Sequence, residues 1–74
     1  MDMVTNIGGS IFGFEFKRGD VPQVTKSMRV AADDLGLSRV FQIHPGPDTF
    51  PMEESGRFVA LAWRDLSSLP SLTS

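Results

Sequence analysis

Cysteine and tyrosine are absent from this 74-residue chain, and histidine and tryptophan occur once each. Without cysteine there can be no disulfide staple and no thiolate zinc site. A single imidazole leaves too little for a histidine-rich metal centre. No apolar run approaches the length that crosses a bilayer. The start, Met1-Asp2-Met3, carries an acid where a secretion signal would be basic, and no apolar h-region follows. A soluble, cytoplasmic protein is the expectation. Charge is also nearly balanced, with seven Lys and Arg against nine Asp and Glu, a net of −2. That is neither the basic face of a dedicated nucleic-acid binder nor the strong acidity of a DNA mimic. A chain this short builds a core of marginal strength, so tight packing or self-association must supply the rest.

The densest apolar signal is Phe58-Val59-Ala60-Leu61-Ala62-Trp63, framed by Arg57 and Arg64. So short an unbroken run suits a strand covered on both faces, with Val59, Leu61 and Trp63 on one and Phe58, Ala60 and Ala62 on the other. Ile11 to Arg18 alternates instead, placing Phe12, Phe14 and Phe16 on a single face. Arg39 to His44 forms another strand, ended by Pro45-Gly46-Pro47. Met3 to Ile7 is a candidate extra strand before the turn signal Gly8-Gly9-Ser10.

Between the first two core strands, Asp20 reads as an N-cap, with Pro22 in the first turn and Gln23 completing a capping box. Val21, Val24, Met28, Ala31, Ala32 and Leu35 share one helical face. Gly36 and Leu37 suit a Schellman ending. The spacing predicts a helix over 21–35.

Assembled, these pieces give an α+β domain over residues 1–65. Its sheet has three to four mostly antiparallel strands in the order βαββ, with a possible N-terminal addition. The helix makes the first two core strands parallel. The most apolar strand is expected between them, antiparallel to both, in a split βαβ arrangement with one helix on one face. Residues 66–74 form a Ser/Leu-rich tail in which Leu66, Leu69 and Leu72 recur every third position.

Residues with chemical potential gather only around His44, Asp48, Thr49, Glu53, Glu54 and Ser55. Imidazole and carboxylates could hold iron, manganese or zinc, and a hydroxyl beside the imidazole could act as a nucleophile. No second histidine stands at a ligand offset and no nucleophile elbow is present. Gly8-Gly9-Ser10 lacks the Lys and the following helix of a phosphate loop. An aromatic platform for bases would need Phe12, Phe14 and Phe16 on an open face with basic residues between them.

The stronger signal is surplus apolar surface. One helix covers one face of the sheet, and that face is expected to carry the phenylalanines, Leu61 and Trp63. The other would expose Phe58, Ala60 and Ala62 beside Ile11 and Val40, and Val30 lies opposite the helix's core face. A flat apolar patch of this kind marks a contact surface. The expected function is therefore a non-catalytic protein-interaction module without cofactor or metal: an inhibitor, regulator or adaptor of another protein that also forms a homodimer. A small enzyme subunit built on His44 and the acidic loop is the alternative from another class, and a nucleic-acid binder the next.

Overall fold

The computed structural model describes residues 1–19 and 21–74. Its architecture is a five-stranded mixed sheet with a helix on one face and a C-terminal helical segment on the other. In chain order the elements are β1 (Met3–Ile7), β2 (Ser10–Phe16), α1 (Lys26–Leu35), β3 (Arg39–His44), β4 (Phe50–Pro51) and β5 (Phe58–Ala62). A 3-10 turn (Trp63–Ser68) then leads into α2 (Leu69–Leu72).

The strands lie in the order β1-β2-β3-β5-β4. β1 and β2 form an antiparallel hairpin, so the N-terminal addition exists. β2 and β3 are parallel, as a helical crossover requires. The expected 1-3-2 order is corrected: β5 pairs with β3 alone among the core strands, and the two are parallel. The reason lies in the loop after His44. It carries the chain to β4, which runs antiparallel to β5. This two-residue strand brings the chain back to the starting end of the sheet, and β5 then inserts between β4 and β3. A return strand of Phe and Pro is too short for any apolar pattern to reveal.

α1 starts later than its apolar spacing implies. Thr25 is the N-cap, its hydroxyl accepting the Met28 N–H at 3.2 Å. Pro22 and Gln23 lie in an irregular lead-in, which the buried side chain of Gln42 on β3 holds in place. Gln42 accepts the Gln23 N–H at 3.0 Å and its amide nitrogen approaches the Gln23 carbonyl at 3.3 Å. The N-cap expected at Asp20 lies outside the described residues. At the other end Gly36 adopts φ 65° and Leu37 N–H bonds Ala32 O at 2.9 Å, the Schellman ending.

Two apolar layers result. Under α1, Met28, Ala32 and Leu37 pack on Val40 and Phe58. On the opposite face Phe12, Phe14, Phe41, Ile43, Val59 and Leu61 form the larger cluster, closed by Leu66, Leu69 and Leu72. The face assignment made from sequence is thus reversed. α1 packs over β3, with Met28 and Ala32 in the cluster of Val40 and Phe58, and Leu37, just past the helix end, lies over Gly13. A Cβ on Gly13 would stand 2.7 Å from Leu37 Cδ1. The bulkier phenylalanine face takes the slim C-terminal segment instead.

Buried Gln42 anchors the lead-in to α1, and replacing it with leucine removes both hydrogen bonds to the backbone of Gln23, an exposed residue whose groups then turn to water. Gln42→Leu is expected to lower stability by about 0.5–1.5 kcal/mol. Urea unfolding measures it, and a midpoint equal to the parent's would remove Gln42 from this role.

Candidate interaction surface

Parallel pairing of β2, β3 and β5 brings Phe16, His44 and Ala62 to one end of the sheet, with Trp63 just beyond. In open α/β sheets the carboxyl end of the parallel strands is where ligands bind. Phe16 is the last residue of β2 and points to the phenylalanine face at the point where α2 and the 3-10 turn no longer cover it. Trp63 leaves the alternation of β5 by opening the 3-10 turn. The outcome is an exposed aromatic pair, Phe16 at 52% and Trp63 at 60%, with Met3 of β1 at 52%.

These side chains border an apolar groove of about 300 Å³, whose wall includes Met3, Ile7, Phe14, Phe16, Trp63, Leu66 and Leu69. A second cleft of about 370 Å³ shares Phe16, Ile43 and Trp63 with it and is rimmed by Lys17 and Arg18. Arg64 follows Trp63 in the chain. Among the described residues, Lys17, Arg18 and Arg64 take part in no ion pair. The Asp2 carboxylate is already engaged, accepting the Phe16 N–H at 2.8 Å.

His44 is buried beside this surface and holds the turn that follows it. Nδ1 accepts the Gly46 N–H at 3.1 Å, which places the ring proton on Nε2, donating to Asp48 O at 2.8 Å. Both ring nitrogens are thus committed to backbone, and Phe50 packs edge-on at 6.0 Å. The other polar side chains of the loop diverge. Thr49 donates to Asp65 at 2.7 Å and accepts the Ala62 N–H, tying the loop to the 3-10 turn. Glu53 reaches Arg29 on α1, and the Ser55 hydroxyl accepts the Arg57 N–H. Among the described residues no three metal-ligating side chains come together.

The opposite end of the sheet is occupied by a structural cation cluster. Arg57 stands just before β5, and parallel pairing puts it beside the C-terminus of α1. Its guanidinium donates to Ala32 O at 2.9 Å, Leu37 O at 3.1 Å and Asp33 Oδ1 at 2.6 Å. It closes the helix end while balancing the acid that opposes the helix dipole. Arg29 and Arg57 flank the Phe58 ring at 5.3 and 5.7 Å. The hydrogen-bonded Arg29 guanidinium holds the Glu53 carboxyl below the usual carboxylate range, and Glu53 raises Arg29 in turn. Stabilisation from this exposed pair is present above the ordinary carboxylate pKa and fades as pH falls through the lowered one.

The surface expected from sequence is corrected by this packing. Val40, Phe58, Ala60 and Ala62 are buried within the chain itself, beneath α1 and the residues around it. Of the named contact residues only Val30 is open, at 49%. Met3, Phe16 and Trp63 carry no local pattern that marks them as a surface. The available signal was the spacing of Leu66, Leu69 and Leu72, which provides a cover for the phenylalanine face and so leaves its far end bare.

Two mycobacterial proteins resemble this chain: uncharacterized protein Mb2031c of Mycobacterium bovis and uncharacterized protein Rv2008c of Mycobacterium tuberculosis. Each is 36% identical over 55 residues, covering 74% of this chain and 12% of the relative. The chain therefore spans about an eighth of the length of these curated relatives. No protein-family pattern matches, and no solved structure does.

Proposed function

We propose that this chain is a protein-interaction module that acts by binding, with its contact surface at the carboxyl end of the parallel strands. The observation that carries the reading is the exposed Phe16–Trp63 pair over a groove with an apolar lining. Large aromatic side chains left in water at a concave apolar site are the composition of interface anchors. The basic rim of Lys17 and Arg18 on the adjoining cleft selects the chemistry of the occupant. It is a protein segment with apolar anchors for the groove and carboxylates beside them, since opposite charge around an apolar centre orients and speeds docking.

A photoreactive benzophenone amino acid in place of Trp63 tests this in producing cells. The expected adduct is one protein segment rich in apolar and acidic residues, and Lys17→Glu with Arg18→Glu should suppress it. Adducts to nucleic acid, or adducts scattered over unrelated proteins and indifferent to the charge reversal, would overturn the proposal.

A further inference from the structure

The two edges of the sheet are treated differently. β4 closes one edge with two residues, one of them Pro51, which cannot donate to a ladder. β1 closes the other with Met3-Val4-Thr5-Asn6-Ile7, carrying neither charge nor proline. Met3 and Val4 are 52% and 42% exposed, while Thr5 and Ile7 are half-buried along the groove. Proteins normally blunt such an edge with lysine, proline or a covering loop, because its free N–H and C=O groups are a template for another strand.

The hairpin fixes which groups are free. Gly8 and Gly9 have φ of 60° and 88°, the signature of a two-residue primed turn between Ile7 and Ser10. Ile7 and Ser10 are then a hydrogen-bonded pair, and antiparallel alternation makes Thr5 and Met3 the next residues to face β2. Val4 and Asn6 direct their N–H and C=O away from the sheet.

We infer that β1 pairs antiparallel with β1 of a second copy, about a two-fold axis through Thr5. Only this register matches the outward groups of all Val4 and Asn6 residues while overlapping the whole strand. Val4 of each copy exchanges hydrogen bonds with Asn6 of the other. Met3 lies opposite Ile7, and Thr5 opposite its own counterpart. Apolar pairs and a Thr–Thr pair on one face are favourable cross-strand neighbours, and an uncharged strand sets no like charges against each other. The same patch meets itself, as a two-fold dimer requires. The two sheets become one, with both apolar grooves on the same side. This contact uses the backbone edge of β1, whose Met3, Thr5 and Ile7 side chains also line the groove.

Absence of cysteine makes the test clean. Thr5→Cys places two thiols opposite each other at a non-hydrogen-bonded site, where Cα atoms approach to about 4.5 Å, within disulfide range. Mild oxidation should yield a covalent dimer, and Val4→Cys, which faces Asn6, should yield far less. Equal yields would overturn the register. Sedimentation velocity on the unmodified chain should show a dimer that Thr5→Lys and Val4→Pro convert to monomer. Circular dichroism checks that each variant is folded, and if Val4→Pro unfolds, Thr5→Lys decides alone. A parent that stays monomeric at its highest soluble concentration, or a dimer that survives Thr5→Lys, would refute the inference. Trp63→Ser should leave the dimer intact, which separates this contact from the groove.

Discussion

Phe41→Ala is expected to cost about 3–5 kcal/mol. Phe41 is fully buried at the centre of the larger cluster, with the Phe14 ring stacked at 5.4 Å and the Phe12 ring at 6.1 Å. Truncation removes most of a phenyl ring's burial and leaves a cavity that strands on both sides, held by the ladder, cannot close. A domain of this length has a total stability of roughly 4–11 kcal/mol, so a large part of the molecules should be unfolded near physiological temperature. Urea titration of Phe41→Ala beside Phe50→Ala provides the contrast, since Phe50 is 38% exposed at the sheet edge. A Phe41 variant that loses no more than the Phe50 variant would show that the core does not centre on this ring.

Removing Leu66–Ser74 should have an effect nearly as large. Neither the 3-10 turn nor α2 contains a fully buried residue. They hold by Leu66, Leu69 and Leu72 against the phenylalanine cluster and by the Arg39 guanidinium, which donates to Leu72 O at 2.9 Å. Three half-buried leucines at about 1 kcal/mol each give a loss on the order of 3 kcal/mol. The truncated chain should keep the Thr49–Asp65 hydrogen bond and much of its strand signal. It should also bind a hydrophobic dye and aggregate, because Phe12, Phe41 and Val59 then face water. An unchanged melting temperature with no dye binding would mean that the segment is not the cover of this face.

Most of the element list was legible in the chain. Alternation of Phe12, Phe14 and Phe16 identified β2, the apolar run after Arg57 identified β5, and Gly36-Leu37 marked the end of α1. Each of these signals is local: side-chain period, turn chemistry and capping act within a few residues and need no partner. The hairpin of β1 and β2 follows in the same way from Gly8-Gly9.

The arrangement of those elements was not local. Parallel pairing of β3 and β5 depends on β4, two residues whose strand character exists only because β5 lies alongside. The start of α1 at Lys26 depends on Gln42 reaching Gln23 from another strand, against a helical pattern that runs back to Val21. Which sheet face α1 covers could not be read from parity, since both faces of β5 are apolar. Packing decided it: Met28 and Ala32 of the helix cluster with Val40 and Phe58, whereas the leucines of the C-terminal segment pack over the phenylalanines. That one choice buried Phe58, Ala60, Ala62 and Val40, and it brought Phe16 and Trp63 into water. Sequence by itself determined β2, β3, β5 and the end of α1; tertiary packing determined β4, the start of α1 and which faces remain for a partner, because burial belongs to pairs of elements and to neither alone.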